Sequence, residues 1–162
     1  MSQLRRSSRA ILALASLVFA GGCSLDADDD IPPVIPLELQ QWGSSLNIDL
    51  ATMTRLESGV YFKDTVVGTG TTLTGTPTVS FFYTGYLASG AVFDSNVGAA
   101  QPYQQPLADL IPAFSTGLQG MKVGGKRRLV IPSALGYGET GALGAVPPNA
   151  NLVFDIELVG IV

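Results

Sequence analysis

The most constraining feature of the chain is the stretch at residues 136–158, GYGETGALGAVPPNANLVFDIEL. Its second half alternates, with Leu152, Phe154, Ile156 and Leu158 on one side and Asp155 and Glu157 on the other. An apolar period of two marks a half-buried β-strand, not a helix. Any fold for this chain must give that strand an apolar face to pack on. Ahead of it, residues 138–151 form a loop with three glycines, two adjacent prolines and a single charge, Glu139. Loops normally face water and are polar, yet this one carries Ala142, Leu143, Ala145 and Val146. It is either a hydrophobic lid on the core or the wall of an apolar groove whose floor includes Phe154. Tyr137, Val146 and Phe154 in one short stretch favour the groove.

The rest of the chain supplies partners for such a strand. Thr78–Leu87 also alternates, with Val79, Phe81, Tyr83 and Leu87 on one face. Ser89-Gly90 makes a turn, residues 92–94 continue the sheet, and residues 95–106 read as a loop carrying Tyr103. Leu110, Ile111, Phe114 and Leu118 recur at helical spacing within 107–118. Pro112 is tolerated only in a first turn, so the helix is expected to begin at Ile111 or Pro112 and last about two turns. Residues 120–125 then turn the chain into another strand at Lys126–Ile131. With 19 glycines, 10 prolines and only 14% charged residues, the composition is that of a turn-rich β protein. The expected fold is α+β, a bent antiparallel β-sheet wrapped around one short α-helix.

Composition also removes several chemistries. There is no histidine and one cysteine. That excludes Ser-His-Asp and Cys-His nucleophilic schemes and the usual zinc sites. The full chain carries a net charge of −4; without Arg5, Arg6 and Arg9, six basic residues face thirteen acidic ones, a net −7. Such a domain neutralises phosphates poorly, so no nucleic-acid partner is expected.

The first 22 residues read as an export signal, with Arg5, Arg6 and Arg9 before an apolar run at 10–20 that is too short to span a bilayer. Ala20, Gly21 and Gly22 lead into Cys23, the sole cysteine. The arrangement resembles a bacterial lipoprotein signal, which implies lipidation at Cys23. Ser24 in place of aspartate then implies sorting to the outer membrane, facing the periplasm. Residues 24–36 hold four aspartates and three prolines and bury too little to fold alone. They read as a tether. Residues 37–50, with the only tryptophan, Trp42, are an expected arm or short helix packed on the domain. The organisation is a signal peptide at 1–22, a lipidated tether and arm at 23–50, and one domain at 51–162.

The segments VSFFYTGYLASGAVFDSN (79–96), LQGMKVGGKRRLVIP (118–132) and IPSALGYGETGALGAVPPNANLVFDIELV (131–159), in this order and spacing, resemble FKBP-type peptidyl-prolyl cis-trans isomerases. The resemblance covers roughly residues 57–162. It implies a first strand near 59–63 and a site for rotating Xaa-Pro bonds. Tyr83, Phe93 and Asp94 fall at its walls, Tyr103 at an aromatic position, and Leu110 and Ile111 at its flank. The Ile111 N–H would bond a substrate carbonyl, and Phe114 stands where the family usually has a tryptophan floor. Tyr137 would donate its hydroxyl to the carbonyl before proline, and Val146 and Phe154 would close the far wall. Independently of the resemblance, Tyr83, Asp94 and Tyr137 stand out, because core burial does not call for hydroxyls or a carboxylate without partners. Asp94 has no basic residue near it in sequence, which makes the Tyr83 hydroxyl its expected donor.

The implied activity is prolyl isomerisation of proline-containing polypeptides by a monomer that assists folding in the cell envelope. It needs no cofactor or metal. Weakened macrolide binding is expected from Phe114, Ala142 and Ala145. The alternative is a non-catalytic proline-binding or adhesive envelope module.

Overall fold

The computed structural model describes residues 31–162 except Leu143. The leader, Cys23 and most of the tether therefore lie outside the described residues. Seven strands form one sheet: β1 (Thr54–Arg55), β2 (Tyr61–Val66), β3 (Thr78–Leu87), β4 (Val92–Ser95), β5 (Tyr103–Pro106), β6 (Lys126–Ile131) and β7 (Leu152–Ile161). The order is β1-β2-β6-β7-β3-β4, with β5 also paired to β3. All pairings are antiparallel. One short helix, α1 (Pro112–Gly117), carries its proline in the first turn. The α+β expectation of an antiparallel sheet with one short helix holds. The reading of 95–106 as loop needs correction, because Tyr103–Pro106 pairs with Thr78–Phe81 as β5. Its sequence, YQQP, has too few apolar residues to show a period.

Register puts two long strands at the centre. Gly85 faces Phe154, Tyr83 faces Ile156 and Phe81 faces Leu158 across β3 and β7, while Leu129 faces Phe154 across β6 and β7. These residues share the inner face. Together with Val60, Leu73, Leu107, Phe114 and Leu118 they build the main core, and α1 is packed into it. Arg127 also lies on this face and is only 5% exposed. Its guanidinium pairs with both Asp64 carboxylate oxygens at 2.6 and 3.0 Å, donates to the Gly117 and Gln119 carbonyls at 2.9 and 3.0 Å, and lies 4.2 Å from the Phe62 ring centre. The carbonyls at the end of α1 would otherwise lack donors. Arg127 thus ties the helix to the sheet.

The outer face is half covered. Tyr61, Val130 and Val153 are buried there, beneath an arm contributed by residues 37–53. Short 3₁₀ turns at Leu37–Leu39, Ser44–Leu46 and Leu50–Thr52 carry Leu37 and Leu46 into this second core, with Trp42, Ile48, Leu50 and Met53 around them. This stretch is built from three short 3₁₀ segments. Its backbone is fixed by the Gly43 N–H to Ala88 at 2.7 Å and by Arg128, which donates to the Leu46 carbonyl at 2.6 Å. Farther along the same face, Arg128 pairs with Asp155 and Lys126 with Glu157. Among the described residues, no helix is long and apolar enough to cross a membrane.

Candidate functional site

On the inner face, where β3 and β7 approach α1, a cavity of ≈ 200 Å³ is lined by Phe81, Tyr83, Asp94, Tyr103, Leu110, Ile111, Phe114, Tyr137 and Phe154. Each element supplies its part for a local reason. The period of two in β3 sends Phe81 and Tyr83 to the same side. Phe154 follows from β7 in the same way, directly opposite Gly85 in register. A Cβ on Gly85 would stand 2.6 Å from the Phe93 ring and 3.0 Å from the Phe154 ring. Glycine there lets the two rings meet edge to face, 5.6 Å apart. Pro112 starts α1 immediately after Leu110 and Ile111, which leaves those two residues extended at the cavity rather than in the helix.

The aromatic rings form a continuous set. Phe114 meets Phe154 at 5.0 Å and Phe81 at 6.0 Å, Phe81 meets Tyr103 at 5.7 Å, and Tyr83 meets Phe154 at 6.1 Å. Of these, the three pairs made by Phe114 and Phe81 are edge to face and Tyr83–Phe154 is tilted; edge-to-face pairs each contribute about 0.5–1.5 kcal/mol beyond area burial. The set is stiff, and it opens onto a cavity of the size of a small ring and its flanking amides.

Two hydroxyls in the cavity behave differently. Tyr83 donates to the Asp94 carboxylate at 2.6 Å, a short charge-assisted bond. Burial, then that bond, push the Tyr83 hydroxyl well above the ordinary tyrosine range. Tyr137 is raised too, by burial first and by the Asp94 charge second. Its hydroxyl makes no hydrogen bond among the described residues, and neither does the Ile111 N–H. Each is a donor without an acceptor among the described residues, on a residue that lines the cavity.

Eight of the ten pocket positions read from the sequence line this cavity. The other two are displaced. Phe93 stands edge-on to Tyr137 at 6.2 Å and to Phe154, packed over Gly85, and supports the wall instead of forming it. Val146 is 5% exposed and lines a separate cavity of ≈ 370 Å³ with Leu87, Thr140, Ala142, Gly144, Ala145, Pro147 and Pro148. The bridge between Ala142 and Val146 folds that loop back on itself, and Val146 joins the same core as Phe114 and Phe154 without lining the aromatic cavity. Phe81, at 1% exposed, is part of the core and lines the cavity as well. Asn96 was missed. It accepts from the Tyr83 N–H at 2.7 Å and donates to the Phe81 carbonyl at 3.1 Å, holding β3 where Tyr83 enters the site. An asparagine just past a strand is a general turn signal, so only the pairing partner identifies this role.

The Tyr83–Asp94 bond is testable as a coupled pair. On the activity that the resemblance implies, Tyr83→Phe and Asp94→Ala are each expected to lower turnover of a proline peptide, with the double variant little worse than either single one. Strict additivity of the two effects in kcat/KM would show that the groups act independently.

Residues 70–159, more than half of the chain, match the family model described as FKBP-type peptidyl-prolyl cis-trans isomerase. A probable FKBP-type peptidyl-prolyl cis-trans isomerase of Haemophilus influenzae is 44% identical over 105 residues, which are 65% of this chain and 44% of that protein. An FK506-binding protein of Neisseria meningitidis is 39% identical over 105 residues, 64% of this chain and 96% of the relative. The crystal structure of a peptidyl-prolyl cis-trans isomerase from Pseudomonas syringae superposes with a TM-score of 0.62 at 35% identity, covering 67% of this chain and 80% of that one. The chain spans less than half the length of several curated relatives that it matches.

Proposed function

The chain belongs to the FKBP-type peptidyl-prolyl cis-trans isomerase family, and from that premise we propose that it catalyses rotation about Xaa-Pro bonds in the aromatic cavity. One observation carries the reading: Tyr137 and Ile111 offer a hydroxyl and an N–H, both without acceptors, to a cavity walled by rings.

Peptide rotation meets a barrier of ~18–20 kcal/mol, while cis and trans Xaa-Pro forms differ by only about 0.5–1 kcal/mol. No bond is broken, so no nucleophile is required. The planar amide is a resonance dipole, and the twisted transition state has lost much of that resonance. A surround that fits the twisted form better than the planar one lowers the barrier, and each ~1.36 kcal/mol gained is tenfold in rate. In this reading the proline ring rests on Phe114, between Phe81, Tyr103 and Phe154. Tyr137 donates to the carbonyl preceding proline, and the Ile111 N–H donates to a second substrate carbonyl. Asp94 keeps Tyr83 oriented and gives the wall a fixed negative edge.

The tyrosines set the alkaline behaviour. Both hydroxyls are raised above the ordinary tyrosine value of about 10. They therefore stay protonated, and kcat/KM should be level up to about pH 10. Above that, the unfolded chain loses tyrosine protons before the folded one does, so stability falls as pH rises. A decline in kcat/KM centred below about pH 9 that disappears in Tyr137→Phe would contradict this.

The wider role proposed is assistance to folding in the bacterial envelope, by a monomer held at the outer membrane through lipid on Cys23, with weak macrolide binding. The separate alanine- and proline-lined cavity favours the second reading, a proline-binding module without useful turnover. A protease-coupled isomerisation assay on an Ala-Leu-Pro-Phe peptide separates the two. Acceleration that is lost in Tyr137→Phe and Asp94→Ala is expected; a folded protein that binds the peptide and gives the uncatalysed rate would sink the enzyme reading.

A further inference from the structure

The segment carrying Tyr137 is not held by its own loop alone. Gly136 and Gly138, on either side of Tyr137, both donate their N–H groups to the Ser133 carbonyl, at 3.0 and 2.9 Å. Ser133 is itself buried, 1% exposed, and its N–H donates to the Asn151 side-chain oxygen at 3.0 Å. Asn151 is 2% exposed and uses its amide nitrogen to donate to the Ile35 carbonyl at 2.7 Å and to the Gln40 side-chain oxygen at 3.0 Å. A second line runs in parallel. The Asn149 N–H donates to the Gly138 carbonyl at 2.8 Å, while the Asn149 side chain donates to the Pro32 carbonyl at 2.7 Å. Asn149 has φ +56°, a left-handed backbone that asparagine tolerates.

Both neighbours of Tyr137 are thus linked, through two asparagines, to one stretch preceding the family domain. That stretch is fixed in turn on the outer face of the sheet by Leu37 and Leu46 in the second core. Neither asparagine lines the cavity. Their hydrogen bonds run away from the site, to the arm.

We propose that residues 32–40 form a strap that positions Tyr137, acting through Asn149 and Asn151. The proposal rests on the reading of Tyr137 as a substrate donor. Asn149, Asn151 and Gln40 are positioning residues; none touches the reacting bond. Catalysis depends on donor placement, and a misplacement of about 1 Å can cost up to 10²-fold in rate. An arm that registers the donor against the rigid sheet limits such drift.

The test uses the full chain. Asn149→Gly keeps the left-handed backbone and removes only the bond to Pro32. Gln40→Ala removes one acceptor of Asn151 from the arm side and spares the buried asparagine, whose replacement endangers the fold. In the double variant, amide exchange at Gly138, followed by NMR, should speed up at least about tenfold, with amides of β6 and β7 unchanged. kcat/KM should fall about three- to tenfold. A Gly138 amide that exchanges as in the parent, or one that speeds up only in step with β6 and β7, would overturn the strap. So would faster exchange at Gly138 with full kcat/KM, provided Tyr137→Phe is impaired. Full activity in Tyr137→Phe defeats the donor reading instead, and the exchange result still decides whether the arm holds this segment.

Discussion

Phe114→Ala is expected to lose about 3–5 kcal/mol of stability, the usual cost of emptying a buried aromatic site, and to lose isomerase activity with it. Phe114 is 4% exposed and meets Phe154 and Phe81 edge to face. Truncation removes the centre of the ring set and joins the site to the core. The remaining rings cannot close the gap, because β3 and β7 hold them in register. At a temperature where the variant stays folded, kcat/KM should still drop by at least about tenfold, ~1.4 kcal/mol of transition-state stabilisation. Phe114→Trp runs the other way. The larger indole has to extend into the ≈ 200 Å³ cavity, adding dispersion contacts of about 0.1–0.2 kcal/mol per atom pair. A rigid macrolide depends on close fit and should bind more tightly, while kcat/KM stays within roughly tenfold of the parent. Urea unfolding and inhibitor titration of all three proteins check this. Full activity and parental stability in Phe114→Ala would show that Phe114 is not the floor of the site.

Arg127→Ala is expected to destabilise the fold by about 3–5 kcal/mol, the range found when one member of a buried ion pair is removed. Four hydrogen bonds are lost together. The Gly117 carbonyl is left without a donor in a buried place and the Gln119 carbonyl in a half-buried one, and that penalty outweighs the bond energies themselves. Asp64 is a third exposed, so water recovers part of its charge and the lower end of the range is the better guide. Arg127→Lys should help little. A single ammonium cannot serve a two-toothed carboxylate and two carbonyls at once. Because Arg127 anchors the end of α1, its loss should also loosen Phe114, and activity should fall faster than stability on warming. Equilibrium denaturation decides it. A cost under about 1 kcal/mol would place the pair with ordinary surface bridges.

Neither of these residues is equally visible beforehand. Phe114 sits in a helical period that sequence reads directly. Arg127 lies in the run Lys126-Arg127-Arg128, where all three look like solvated charge. The register across β2 shows that the middle one faces inward and gives Asp64 as its partner. The signal was the period of two: Arg127, Leu129 and Ile131 share a face, so one charge had to be on the core side.

The sequence by itself determined the strands with clear alternation and the start of α1 at its proline. These are local properties: a period and a proline's fixed φ. Residue types that fit poorly in a plain core marked Tyr83, Asp94 and Tyr137, while most other cavity positions came from the resemblance to the family. The sequence also determined the Tyr83–Asp94 bond, because a carboxylate without a basic neighbour needs a donor and one was in reach. The tertiary structure alone decided the rest. It set Phe93 behind the wall and Val146 in a separate cavity, since both depend on how a glycine-rich loop and a β-edge pack, which no period encodes. It also laid the arm over the outer face, on Tyr61, Val130 and Val153. Those apolar residues on the supposed wet face were the available sign. What covers them is a contact between segments about ten to more than a hundred residues apart, and hydrogen bonds at that separation, such as Asn151 to Ile35, arise only once the chain has closed on itself.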